Sequence, residues 1–111
     1  MSKYNNAIIN TPDGKFHSKA EYKRWLELKW LEEVGEIESL ARQFKFDIVL
    51  NGVKICRYIS DFYYIDLDPK HGARGQETIE DVKGVETDVF QLKWKLCQAI
   101  YPDYVWRIVK A

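Results

Sequence analysis

Cysteine is scarce in this chain: Cys56 and Cys97 are its only two, too few for a disulfide framework, and reduced, packed thiols are expected. Histidine is equally rare. His17 and His71 lie far from each other and from both cysteines, which excludes the ligand spacing of a zinc site. No apolar run approaches the roughly 20 residues that cross a bilayer. Residues 1–6 lack the apolar core of a signal peptide, so a cytoplasmic protein with no membrane partner is expected. Glycine-rich phosphate loops are absent too: Gly72-Ala73-Arg74-Gly75 is short and precedes no helix. Asp66-Leu67-Asp68 resembles part of a calcium loop, but the remaining ligands and the closing Glu are misplaced. No Ser-His-acid set stands at credible positions, and no organic cofactor is implied. Net charge is lacking as well, with 17 basic and 17 acidic residues. That balance argues against strong nonspecific binding to nucleic acid. It does not exclude an enzyme acting on nucleic acid, because acids gathered in a metal site offset lysines elsewhere.

Aromatic residues are plentiful, including Trp25, Trp30, Trp94 and Trp106, and 111 residues suffice for one core. A single domain over residues 1–111 is expected, with residues 1–15 an irregular lead carrying the turn signal Thr11-Pro12-Asp13-Gly14. A helix follows over residues 18–34, stopped by Gly35. Residues 36–40 and 44–50 read as a strand or a bent pair. Asn51-Gly52 is a hairpin signal leading into a long strand over 54–65. Residues 66–75 form a loop, 77–84 a strand, 88–100 a second helix ended by Pro102, and 104–109 a last strand. The order α-β-β-β-α-β implies an α/β fold, a mixed sheet flanked by two helices.

Two segments carry the chemistry. Asp61 closes Arg57-Tyr58-Ile59-Ser60-Asp61, and Asp81 and Lys83 sit in Thr78-Ile79-Glu80-Asp81-Val82-Lys83-Gly84. Successive strand side chains point to opposite faces, so Asp81 and Lys83 share one face and Glu80 takes the other. A bulge would exchange Glu80 and Asp81. An acid and a lysine beside a second acid can bind a divalent cation and a phosphate together. The simpler alternative is an ordinary salt-bridged pair on a solvated sheet. Two such acids packed together without a cation would have raised pKa values.

Glu21 admits two roles. Ser18-Lys19-Ala20-Glu21 fits a capping box in which Glu21 reaches back to the Ser18 amide. It also shares a helix stripe with Trp25 and Leu28, which would lean it over the sheet near Asp61. Lys93 falls on the wheel with Val89, Leu96 and Ile100. It either snorkels at the core edge or reaches the site as a phosphate ligand.

Taken together, Phe16-His17-Ser18-Lys19-Ala20-Glu21, Ser60-Asp61-Phe62 and Glu80-Asp81-Val82-Lys83-Gly84 resemble the PD-(D/E)XK nuclease superfamily, and within it a group of small bacteriophage-borne proteins. The similarity extends through Gly35-Glu36-Ile37 and Leu92-Lys93-Trp94-Lys95. The resemblance implies a restriction-endonuclease-like core and a Mg²⁺- or Mn²⁺-dependent endonuclease acting on phage DNA, with branched DNA among its candidate substrates. A small domain with a shallow site often needs a second copy to grip two strands, which makes a homodimer one arrangement to expect. The resemblance also implies Asp61 and Asp81 as metal ligands, the Val82 carbonyl as a third, Glu21 as an additional acid and Lys83 as the catalytic lysine. Two departures stand out: Asp81 replaces the commoner Glu, and Ser60 replaces the proline of the superfamily name. The alternative is a catalytically impaired module of the same fold that binds DNA or a protein partner. An adaptor acting through its aromatic surface is a third reading.

Overall fold

Two carboxylates from one strand, Glu80 and Asp81, are buried back to back at the centre of the fold. The computed structural model describes residues 8–71 and 75–111; residues 1–7 of the lead and 72–74 of the expected loop lie outside the described residues. Its elements are β1 (Ile9–Thr11), β2 (Gly14–Phe16), α1 (Lys19–Glu33), β3 (Ile37–Arg42), β4 (Lys45–Leu50), β5 (Val53–Ile59), β6 (Phe62–Asp66), β7 (Gln76–Lys83), α2 (Asp88–Ile100) and β8 (Val105–Lys110), with a 3-10 turn at Pro69–His71. The central sheet runs β3-β6-β7-β8, antiparallel except for the parallel pair β7 and β8, which α2 connects. The chain is thus α/β, with two helices and a mixed sheet.

Local chemistry sets the helix ends. The Ser18 hydroxyl accepts from the Glu21 amide at 3.1 Å, and the Thr87 hydroxyl accepts from the Phe90 amide at 3.1 Å. Each satisfies a donor that the first helical turn leaves free. Gly35, at φ 81°, ends α1 in the left-handed region, and the Glu36 amide then returns to the Leu31 carbonyl at 2.9 Å.

The sheet separates two cores. On one face Phe62 and Tyr64 of β6 meet Leu28 of α1, Phe16 of β2 and Ile37 of β3. On the other, Ile79 packs with Phe46, Ile48 and Tyr58 of the β4–β5 hairpin and with Phe90, Trp94 and Cys97 of α2. A large apolar side chain buried in this way contributes about 1.5–3 kcal/mol.

The lead is more ordered than expected: β1 and β2 pair as a hairpin around Pro12 and Asp13, with Gly14 at φ 111°. The bent pair of strands resolves into β3 and β4, which belong to different sheets. The Asn51-Gly52 turn joins β4 and β5, both turn residues having positive φ.

The long strand over 54–65 does not form. It breaks at Ser60 and Asp61, where the chain leaves the hairpin and enters the central sheet. Four hydrogen bonds turn this corner: the Ser60 amide and hydroxyl to the Phe44 carbonyl at 2.9 and 3.3 Å, the same hydroxyl to the Phe62 carbonyl at 3.4 Å, and the Gln43 amide to the Asp61 carbonyl at 3.0 Å. A short hydroxyl competing for backbone carbonyls favours such a bend over a continuing ladder. On α2 the buried stripe is Phe90, Trp94 and Cys97, while Val89 is 63% exposed.

Glu80 points to the α1 face. Arg24 grips it with both ends of the guanidinium, Nε to Oε1 at 2.8 Å and Nη2 to Oε2 at 2.6 Å, and the Tyr64 hydroxyl also donates to Oε2. Arg107 lies 3.8 Å from the same oxygen. Removing one partner of a buried ion pair leaves the other charge stranded, at a cost of about 3–5 kcal/mol. Arg24→Ala should therefore lower unfolding free energy in urea by about that amount, and adding Glu80→Gln should recover part of the loss. Equal stabilities for wild type and Arg24→Ala would show that the pair does not hold α1 to the sheet.

Candidate active site at the carboxyl end of the parallel strands

Asp81 points to the opposite face from Glu80, and its neighbours are different. Phe62 pairs with Glu80 across β6 and β7. One more antiparallel step brings Asp61, at the corner, opposite Asp81. The two carboxyls are close enough for the charge of Asp61 to raise the pKa of Asp81. The Val82 amide donates to Asp61 Oδ2 at 2.8 Å, and the Tyr58 hydroxyl donates to Asp81 Oδ2.

Asp81 Oδ1 is buried and makes no hydrogen bond among the described residues. Lys83 Nζ nonetheless lies 3.3 Å from it, an ion-pair contact away from hydrogen-bond geometry. The Lys83 ammonium also sits 4.5 Å from the centre of the Phe90 ring, so acid and aromatic face together orient it.

Both acids resist ionisation. Burial and the charge of Asp61 push Asp81 up to about 7, against the lowering effect of Tyr58 and Lys83. Asp61 is also raised, chiefly by burial and further by the charge of Glu21, while the Val82 amide and Lys83 oppose the shift. Burial raises the Tyr58 phenol, with Asp81 adding to the effect, so Tyr58 is a hydrogen-bond donor throughout the physiological range.

Above this pair opens a cleft of about 310 Å³. Asp61, Val82, Lys83 and Gly84 border it from the sheet, Glu21 and His17 from the start of α1, and Thr87 from the start of α2. It lies where β7 and β8 both end, the usual position for a binding crevice in an open α/β sheet. Asp81, only 2% exposed, lies beneath it.

Glu21 does not reach the Ser18 amide as a capping box requires. Its Oε1 accepts instead from the His17 amide at 2.9 Å, one residue earlier, and its Oε2 is 3.9 Å from Arg42. It is buried and borders the cleft without joining the two aspartates: among the described residues no three His, Cys, Asp or Glu side chains are grouped to hold a metal ion. Lys93 lies outside the cleft lining, its ammonium donating to the Arg57 carbonyl at 3.1 Å. Sequence reasoning missed Tyr58 and His17. Tyr58 reads as one more apolar residue of a strand, and only the fold-back of the β4–β5 hairpin brings its hydroxyl to Asp81.

The donor set suits a hard cation. It consists of carboxylate oxygens, one of them buried without a hydrogen bond among the described residues, on two neighbouring acids whose pKa values burial raises. The fold and cleft define an α/β domain with a pair of neighbouring buried carboxyls and a lysine at the end of its central strands. The chain belongs to the family described as "Protein of unknown function (DUF1064)", whose model matches residues 1–111. No curated protein and no solved structure matches it.

The raised Asp81 pKa has a measurable sign. The folded state holds this proton more tightly than the unfolded chain, in which an Asp titrates near 3.8. Stability is therefore lost as pH rises from about 4 to about 7. Asp81→Asn removes that loss. In EDTA it should stabilise the protein by about 2–4 kcal/mol near pH 8 and by little near pH 4. Thermal unfolding across the range checks this, and a gain independent of pH would contradict it.

Proposed function

We propose that this protein is a metal-dependent endodeoxyribonuclease of the PD-(D/E)XK kind, hydrolysing phosphodiester bonds in the recombination, replication or processing of phage DNA. One observation carries the reading: Asp61, from the corner before β6, meets Asp81 and Lys83 of β7 at the floor and wall of a cleft, with one Asp81 oxygen making no hydrogen bond among the described residues. The order around the central sheet adds support. With the β1–β2 and β4–β5 hairpins set aside it runs α1, β3, β6, β7, α2, β8, a helix, three strands, a helix and a strand, compatible with the proposed restriction-endonuclease-like core.

Asp61 and Asp81 would hold Mg²⁺ or Mn²⁺, with the Val82 carbonyl the next donor along β7 and water completing the shell. Such a cation, when bound, lowers the pKa of a coordinated water and neutralises the phosphate. The chain's own residues supply the rest. The Val82 amide fixes one Asp61 oxygen and the Tyr58 hydroxyl fixes one Asp81 oxygen, so each carboxylate keeps a second oxygen for the cation. Lys83, steadied by Asp81 and Phe90, places positive charge on the cleft wall. There it can hold the attacking water and offset charge growing on the phosphate, worth on the order of 10²-fold in rate. Glu21 adds negative charge on the α1 side. Ser60, standing where the superfamily name has proline, makes the corner that sets Asp61 opposite Asp81.

Linear, nicked and four-way DNA incubated with Mg²⁺ or Mn²⁺ tests the proposal. Wild type should cut at least one substrate, and Asp81→Ala and Lys83→Ala should each lose about 10²-fold or more. Cleavage surviving both substitutions would exclude this site. An inert wild type with no heat of metal binding in calorimetry would point instead to a nuclease-fold module that binds DNA or a protein.

A further inference from the structure

Helix α1 is apolar on two opposite sides. Its inner side, Leu28 with Trp25 and Leu31, packs on the sheet. Its outer side carries Leu26, 46% exposed, and Trp30, 61% exposed. Lys23, Leu26, Glu27, Trp30 and Leu31 line a shallow groove there. An exposed tryptophan beside an exposed leucine is costly in water unless something covers them.

The spacing along this outer side is regular. Lys19, Lys23, Leu26, Trp30 and Glu33 follow one another at intervals of four and three residues, and all are exposed. That is the seam of a helix pair. Its charges run against the helix dipole: lysines stand in the first half, where the positive end lies, and Glu32 and Glu33 stand in the last turn, at the negative end. Within one chain this order is unfavourable. Opposite a second helix running the other way it becomes favourable. With the twofold axis crossing the outer side at the level of residue 28, Leu26 of one chain faces Trp30 of the other and Lys23 faces Glu33. Each layer then joins complementary partners, apolar to apolar and cation to anion, and each occurs twice.

We infer that the outer side of α1 is a self-docking surface on which a second copy of this chain lays its own α1 antiparallel, Leu26 against Trp30 and Lys23 against Glu33. The surface stands on geometry and charge and is independent of the nuclease reading. A single helix pair buries less than the ~800 Å² per partner of a standard interface, so the dimer should dissociate in the micromolar range.

Sedimentation velocity of the full chain, from about 5 to about 500 µM, spans that range. The mass should rise with concentration from 13.2 kDa toward twice that value. Leu26→Lys with Trp30→Lys should hold the chain monomeric throughout. Lys23→Glu alone and Glu33→Lys alone should each weaken association about tenfold or more, since each sets like charges together at two places. The two swaps combined should restore it to within about threefold. All four positions are exposed, and unchanged far-ultraviolet circular dichroism and thermal midpoint identify folded variants. Three results would overturn the inference: a wild type monomeric at the highest concentration, which would leave the face to a different partner; a dimer indifferent to the paired lysines; or single swaps that weaken association without rescue by the double swap.

Discussion

Strand β7 is buried on both faces, and its centre carries two consecutive acids. Pleating sends Glu80 to one core and Asp81 to the other, so each buried carboxylate must find its own partner. Glu80 finds a guanidinium in bidentate geometry, a donor in the Tyr64 hydroxyl and the charge of Arg107 at 3.8 Å. That satisfies the charge and ties α1 to the sheet. Asp81 finds a phenol, an ammonium off hydrogen-bond geometry and another acid. The same strand thus holds a finished ion pair on one face and an unfinished charge balance on the other. The unfinished one is the candidate site.

The second acid arrives through a corner rather than a strand. Residues 43–44 and 60–61 leave the β4–β5 hairpin together and enter the central sheet as β3 and β6, cross-linked by the Ser60 and Gln43 hydrogen bonds. The corner sets both Asp61 and the hairpin that carries Tyr58. Two of the groups touching Asp81 therefore depend on one bend. The turn after β7 then places the start of α2 at the end of the sheet, and the first turns of α1 and α2 wall the cleft.

Much of this was legible in the residues. Ser18 and Gly35 bound α1, Asn51-Gly52 makes the hairpin turn, and strand phase separates Glu80 from Asp81 and joins Asp81 to Lys83. Other features depend on tertiary contacts that local pattern does not encode. The alternating run over 54–65 reads as continuous because its break comes from Phe44 and Gln43, more than a dozen residues upstream. The lead forms a hairpin because Phe16 has a place in the core against α1, and the turn signal alone does not announce it. The wheel of α2 groups Lys93 with apolar neighbours, yet the bulk of Phe90 and Trp94 rotates the helix so that Val89 faces outward. Glu21 caps one residue earlier than the usual box, a difference of local geometry too fine for spacing to reveal.

The hairpin β4–β5 closes over a two-residue turn, whereas Arg24 and Glu80 are 56 residues apart. Loops of two residues close within microseconds, and contacts between distant residues form later because they carry a larger loop-closure entropy. Assembly of the chain should thus begin with its hairpins and helices and end with the registration of β7 between β6 and β8. Asp61 and Asp81 then meet only at that last stage, when most apolar surface is already buried. Their mutual repulsion falls on the native state and on unfolding, and the early, collapsing chain is spared it.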